Sequence, residues 1–429
     1  MTNNTELLAR HHAVMGHDAP LFYKNPIELV RGDGVWLFDS DGRRYLDVYN
    51  NVPCVGHANP RVVEAVAHQT GTLNVHSRYL HDGVIDWAER VVGLHHSGLE
   101  SLVVTCTGSE ANEVAMMMAR AATGARGIIC TDATYHGNTR EVSKLTRLPA
   151  GEHRDGVRSI PAPQRYRTPE PGMSDADLCA YYLERLREQI QAFVDDGLGF
   201  AGILLCTIFA NEGLVEVPDG FLREMADVVH DAGGLIIGDE VQAGYARSGS
   251  WWGYETYGIV PDIAVMGKPM GNGVPVAGVV ASHELVTGFR RKHRYFNTFA
   301  ASPLQAAAGM AVIDEITDRN LVTQVDAVGL SLKASMKMLQ ADYPQMGDVR
   351  GTGLFIGIDW VVPGTTEPDV DGAAQVVEAM RERGVLMGKA GQYFNVLKLR
   401  PPLVFDHEHA AIVTETFTDA VAAVTAQPA

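Results

Sequence analysis

The 429-residue sequence has no run of about 18 apolar residues, the length a helix needs to cross a bilayer. Cationic charge is scarce. Lys and Arg number 35 against 52 Asp and Glu, a formal net charge of −17. So acidic a chain offers no general basic surface to nucleic acid or anionic lipid, although a local basic pocket stays compatible with it. Cysteine is also scarce: Cys54, Cys106, Cys130, Cys179 and Cys206 lie too far apart for a metal clip. An odd count fits a disulfide framework poorly, so reduced thiols in a cytosolic protein are the expectation. The opening MTNNTELLAR lacks an apolar signal core, which also points to the cytoplasm. The pairs His11-His12 and His95-His96 have no third ligand at metal spacing, so no metal is expected. Internal repeats and low-complexity segments are missing too.

What remains is an ordinary globular composition, 46% hydrophobic and 20% charged, long enough for two or three domains. Residues 25–46 read as short strands around Gly-Asp-Gly and Ser-Asp-Gly turns. From Leu102 onward apolar strands (LVVTC, GIICTD, GILLCTIF, GLIIGDEV, PDIAVMG) alternate with helical stretches. That alternation predicts an α/β fold with a parallel sheet covered on both faces. Beyond about residue 310 the pattern changes to GTGLFIGIDWVV, a strand pair, between further helices, as in a smaller α/β domain. Residues 148–171 read as a long loop rich in Pro and Arg. Met116, Met117 and Met118 read as helix core.

Four clusters carry chemistry, each at the end of a predicted strand. Gly108 and Ser109 open a helix and can offer amides and a hydroxyl to a phosphate; a plain N-cap by Ser109 is the competing reading. Tyr135-His136-Gly137 places an aromatic where it can stack on a flat ring, or merely pack in a loop. Asp239 ends the strand GLIIGD. A buried carboxylate there needs a cationic partner, such as a protonated pyridine nitrogen, unless the acidic pair Asp239-Glu240 caps a neighbouring helix. Lys268, in MGKPMGNG, can form a Schiff base with an aldehyde, or be a solvated turn lysine.

In this order and spacing the four clusters resemble the class III (ω-) aminotransferases, pyridoxal-phosphate enzymes of fold type I, from about Tyr45 to Val421. The resemblance implies a large domain with a mostly parallel seven-stranded sheet, at 61–310. It also implies a small α/β domain built from both chain ends, 1–60 and 311–429. It makes Lys268 the Schiff-base lysine and proton shuttle, and Asp239 the partner of the ring nitrogen. Val241 would pack behind the ring, Tyr135 in front of it with His136 beside it, and Gln242 would bond the ring hydroxyl. Gly108 and Ser109 would hold the phosphate, helped by Thr298 from the second subunit of a homodimer. SRYLHD at Ser77–Asp82, MGKPMGNG and NVLKLRPP are similar to the branch holding the phosphoethanolamine-type phospho-lyases, with the alanine–glyoxylate aminotransferases nearby.

Three departures stand out. Where the family pattern has a carboxylate-gripping arginine there is Lys398, with Arg400 just before Pro401. Where it has a glutamate that pairs with that arginine there is Cys206, with Glu212 as a potential substitute. After Thr298 the family's small residues are replaced by Phe-Ala-Ala-Ser-Pro. Lys398, Arg400, Cys206 and Asn51 are thus the candidate substrate residues. A substrate other than an ordinary α-amino acid is expected. The leading expectation is ping-pong transfer of an amino group from an amine or ω-amino compound to a keto acid. Elimination from a phosphorylated or substituted amine is the alternative, and racemisation a third variant. A phosphate clamp made by Lys398, Arg400 and the loop arginines Arg165 and Arg167 would favour elimination.

Overall fold

The computed structural model describes residues 2–426. Its centre is an eight-stranded sheet. In spatial order the strands are Ser101–Thr105, Ala277–Ala281, Ile263–Met266, Leu235–Asp239, Phe200–Cys206, Gly127–Thr131, Val157–Ile160 and His153–Arg154. Ala277–Ala281 runs against both of its neighbours, so Ser101–Thr105 points the same way as the strands beyond it. The next four are parallel to Val157–Ile160, and the two-residue strand His153–Arg154 is antiparallel at the edge. The expected count of seven is therefore exceeded by this short edge strand. Both outermost strands on that side lie in the stretch expected to be a loop. Pro and Arg obscured Val157–Ile160, which nevertheless buries Val157, Ser159 and Ile160.

The central strands are apolar end to end because helices cover both faces. Phe200–Cys206, Gly127–Thr131 and Ile263–Met266 are buried throughout. Helix Phe221–Asp231 shows how a covering element is specified. Phe221, Leu222, Met225 and Val229 fall on one stripe and are buried, each burial being favourable by about 1.5–3 kcal/mol. Helix Gly108–Thr123 is nearly surrounded. Its Met116 and Met118 are buried, as the sequence suggested, and Met117 packs against the same cluster from a partly buried position.

Two smaller sheets complete the fold. The strands Leu29–Asp33, Trp36–Asp39 and Arg44–Asp47 form a meander, and Val385–Leu386 joins it in parallel, which ties the two ends of the chain into one sheet. Met346–Thr352, Phe355–Trp360, Val396–Leu399 and Gly388–Ala390 make the other. The expected strand pair around Gly353 is present. Arg167 anchors the long loop to this second sheet through a two-pronged ion pair with Asp359 at 2.6 and 2.8 Å, and Arg350 holds the other flank of Asp359 at 2.9 Å. Among the described residues no helix is long and apolar enough to cross a membrane.

Candidate active site

In an open parallel sheet the carboxyl ends of the strands meet at one edge, where backbone ends and helix N-termini converge on a ligand. Here that edge delivers Thr107–Ser109 after Thr105, Asp132–His136 after Thr131, Asp239 at its own strand end, and Lys268 just past Met266. The four sequence clusters are thereby brought together.

The first of these clusters lies at the start of helix Gly108–Thr123. Its N-cap is Thr107, not Ser109. Thr107 Oγ1 accepts from Glu110 N at 3.1 Å, and Glu110 returns a bond to Thr107 N at 3.0 Å. With the cap filled by Thr107, Ser109 is freed for another task. Its hydroxyl accepts from Asn138 N at 3.1 Å. Among the described residues the amides of Gly108 and Ser109 have no acceptor, which suits a helix start that awaits an anion. Gly108 and Gly267 both give way to Val241: a Cβ on either would lie 2.9 or 3.2 Å from its methyls. Val241 is thus wedged between the phosphate turn and the Lys268 turn.

Asp239 is buried and fully partnered. It accepts from His136 Nδ1 at 2.6 Å, from Asn112 Nδ2 at 3.0 Å and from Val241 N at 2.9 Å. Burial pushes its carboxyl up, but His136, the charge of Lys268 and the Val241 amide outweigh this and hold it below the usual range. Asn112, which sequence reasoning left out of the site, also bonds the His136 carbonyl at 2.8 Å, and its Oδ1 is a buried oxygen without a donor. Its position one turn after Ser109 was the available signal. Glu240 follows the plain structural alternative instead. It caps the turn at Gly253 and Tyr254, at 2.7 and 3.0 Å.

Lys268 makes no hydrogen bond among the described residues. Burial pulls its amine below the usual lysine range, Asp239 opposing and Arg400 adding to the effect. A more readily neutral amine is what attack on a carbonyl requires. Tyr135 is half-exposed at the mouth, its carbonyl held by Asn211 Nδ2 at 2.9 Å. Thr298 is exposed, beside Asn297, which reaches Glu110 at the start of the phosphate helix at 3.3 Å. The unusual segment after it serves locally, with Ser302 capping helix Pro303–Asp318. A free amine, an acceptor-less helix start, a buried carboxylate and a wedge between them fit pyridoxal phosphate.

The substrate end is cationic. Lys398 lies in the middle of the second small sheet, opposite Gly357 on one side and Gly388 on the other. A Cβ on Gly388 would collide with the Tyr49 ring, so the glycine makes room for an aromatic that lies 5.9 Å from Lys398 Nζ and 5.0 Å from the Arg400 guanidinium. Lys398 is only 5% exposed and has no acidic partner among the described residues. Burial drives its amine well below the usual range, and Arg400 and Lys268 push in the same direction. Arg400 donates to the Tyr49 carbonyl at 3.0 Å and to Gln242 Oε1, while Gln242 Nε2 donates to Asn211 at 3.2 Å. Gln242 therefore joins the two halves of the site. Arg247 is a further buried cation, pulled down to about 9 by burial and by Arg400. Asn51 is buried with an amide nitrogen that has no acceptor.

Two readings that the sequence left open are not met here. Glu212 does not stand in for the missing gate. It accepts from Thr131 at 2.6 Å and from Asn211 N at 3.1 Å, and makes no ion pair with Lys398 or Arg400. Arg165 and Arg167 do not join the cationic end either. Arg165 is neutralised by Asp175, Glu216 and Asp219, and Arg167 by Asp359. Arginines in a Pro-rich loop looked available in sequence because most of their acidic partners, Glu216, Asp219 and Asp359, lie far along the chain, and Asp175, ten residues from Arg165, meets it only through the fold of the loop. Cys206 is buried at the end of its strand, paired in register with Asp239, its thiol pushed up by burial.

The class-III aminotransferase family profile matches residues 22–421. An alanine–glyoxylate aminotransferase 2-like protein of Drosophila melanogaster is 35% identical, covering 98% of this chain and 88% of its own. An ethanolamine-phosphate phospho-lyase homologue of Caenorhabditis elegans is 32% identical over 97% of this chain and 93% of its own. The solved structure of a phospholyase from Arthrobacter in complex with phosphoethanolamine superposes with a TM-score of 0.94 at 40% identity, covering 98% of this chain and all of that one. The protein described here belongs to the class-III aminotransferase family of pyridoxal-phosphate enzymes with fold type I.

Proposed function

We propose that this enzyme acts on a small amine bearing an anionic group, and that it eliminates a phosphate-like leaving group from the carbon next to the amine-bearing one. The observation that carries this reading is the pairing of Lys398 and Arg400 without a gating carboxylate. A transaminase must admit two chemically different substrates to one pocket in turn. It needs an anion seat that can be covered when the uncharged end of one partner enters. Here the seat has no cover: Cys206 stands where an acid would, and Glu212 is committed elsewhere. A permanent seat suits one anionic substrate. The similarity to the Arthrobacter phospholyase supports the same order of preference, which reverses the expectation from sequence.

Pyridoxal phosphate, when bound, supplies an aldehyde that captures the amine and a ring that takes up electrons as the adjacent carbon loses its proton. Gly108 and Ser109 would hold its phosphate, Asp239 would stabilise a protonated ring nitrogen, and Val241 and Tyr135 would hold the ring. Lys268 would hold the cofactor through its Nζ, and the same amine would take the proton from the amine-bearing carbon. An anion arriving beside Lys398 would favour its charged form, because it opposes the burial that depresses the basicity of the amine. Lys398 and Arg400 then hold the leaving oxygen as the carbon–oxygen bond breaks and the electron pair departs with the anion. Hydrolysis returns ammonia and a carbonyl product. We also propose a homodimer in which Thr298 of a second copy reaches the phosphate. The exposure of Thr298 beside Phe299, 76% exposed, supports this.

The test is incubation of the holoenzyme with phosphoethanolamine and no keto acid. Many equivalents of phosphate and ammonia per active site are expected. Conversion of a single equivalent of cofactor to its aminated form, with no phosphate, would establish transamination instead.

A further inference from the structure

We propose that Asn211 is a positioning residue that couples the anion seat to the cofactor ring, so that an anion held by Lys398 and Arg400 changes the hydrogen bonding at the ring. Asn211 lies in the loop after strand Phe200–Cys206, and all four of its polar groups are engaged. Its amide N–H donates to Glu212 Oε2 at 3.1 Å, and its carbonyl accepts from Gly391 N at 3.0 Å. Its Nδ2 donates to the Tyr135 carbonyl at 2.9 Å, and its Oδ1 accepts from Gln242 Nε2 at 3.2 Å. Gln242 Oε1 in turn accepts from Arg400 Nη1. The side chain of Asn211 thus bridges the loop carrying Tyr135 and the loop carrying Gln242. Its main chain ties both to the end of strand Gly388–Ala390 in the second small sheet.

The direction of this line is fixed from both ends, because a carbonyl only accepts and a guanidinium only donates. Turning Asn211 over would set two acceptors against each other at Tyr135. Turning Gln242 over would set two donors against each other at Arg400. Gln242 Nε2 therefore spends one hydrogen on Asn211 and keeps the other, which is the one that serves the ring hydroxyl in the reading above. The bond from Arg400 is charge-assisted, and hydrogen bonds in a line polarise one another. An anion that takes up the charge of Arg400 weakens the pull on Gln242 Oε1, and with it the donation from Nε2. Asn211 carries the same change to the carbonyl of Tyr135. Arg147 offers a comparison. It clasps the same small-sheet loop, donating to the Gln392 carbonyl at 2.5 Å and lying 4.3 Å from the centre of the Phe394 ring. Among the described residues it bonds neither Gln242 nor Tyr135, so it holds the loop without entering the line.

The inference rests on the anion seat and the ring placement given above, but not on which reaction follows. The experiment is a titration of the holoenzyme with inorganic phosphate, read by calorimetry for binding and by visible absorbance for the ring. In the wild type, binding and a change in the visible band are expected to saturate together. N211A keeps both main-chain bonds of residue 211 and removes no group of the seat. It should bind phosphate within about threefold of the wild type, yet lose most of the band change. R147A should bind and respond as the wild type does. A full band change in N211A, or phosphate binding to the wild type without any band change, would overturn the coupling and leave the seat standing. An R147A enzyme that loses the band change as N211A does would also overturn it, because the loop clasp and not the amide line would then be responsible. Phosphate that binds the wild type and K398M equally would overturn the seat, and the coupling with it.

Discussion

Asp239 and Lys398 are both buried ionisable groups in one site, yet their surroundings are opposite. Asp239 has three hydrogen-bond donors and sits in a cradle that is complete without a ligand. Lys398 has an aromatic face, two glycines and a second cation for neighbours and, among the described residues, no acidic partner. Unpaired buried charge is costly, by several kcal/mol, and it persists where a ligand of the opposite sign later relieves it. The cofactor half is thus preorganised and the substrate half is frustrated until it is filled. Gln242, bonded to Arg400 on one side and Asn211 on the other, is the seam between them.

This contrast can be broken from either end. The largest effect is expected for K268A, which removes both the attachment point and the proton carrier. Turnover should fall by about four orders of magnitude, with loss of the reducible lysine adduct. D239N leaves the cradle's shape but removes the charge. Breaking a buried pair costs about 3–5 kcal/mol, so kcat should drop between roughly a hundredfold and several thousandfold with KM less affected. Steady-state kinetics checks this, and a D239N enzyme within tenfold of the wild type would contradict it.

K398M should act in opposite directions on function and stability. KM for a phosphorylated amine should rise by about ten- to a hundredfold, while the ligand-free protein melts a few degrees higher. The sign follows from the depressed basicity of Lys398. Between its folded value and the ordinary lysine value the unfolded chain binds more protons, so this residue makes stability increase with pH. The methionine variant should lose that slope in thermal melts over pH 6–9. Isothermal titration in two buffers of different ionisation enthalpy should show proton uptake on phosphoethanolamine binding by the wild type and less by K398M.

The smallest effect is expected at Glu240, which shares the Asp239 strand end but has no cofactor to face. Burial pushes its carboxyl up to about 7, against the bonds from Thr207, Gly253 and Tyr254. The folded state therefore keeps a proton that the unfolded chain loses, and stability falls as pH rises from about 4.5 to 7. E240Q should flatten this fall without changing the visible spectrum of the holoenzyme. A spectrum altered as much as that of D239N would show the two carboxylates to be one unit.

The order of strands and helices was legible because apolar runs and their covering helices repeat along the chain, and because the site residues fall at strand ends. The strand Ala277–Ala281 was not, since five small apolar residues between a glycine-rich turn and a helix carry no period. The capping role of Thr107 was hidden behind the more conspicuous Gly-Ser pair. Asn112 acquires meaning only when the chain folds back on Asp239 from far away in sequence.

By itself the sequence determined the fold class and the cofactor, because four local motifs in one order and spacing resemble one family, and that resemblance named the residues expected to touch the cofactor. It also showed that the glutamate–arginine pair was missing. Only the tertiary structure decided what the remaining charges do. Arg165, Arg167 and Glu212 are as plausible in sequence as Lys398 and Arg400. Pairing across the fold commits the first three to partners and leaves Lys398 buried without one, and neither burial nor partnership is a property of a residue alone.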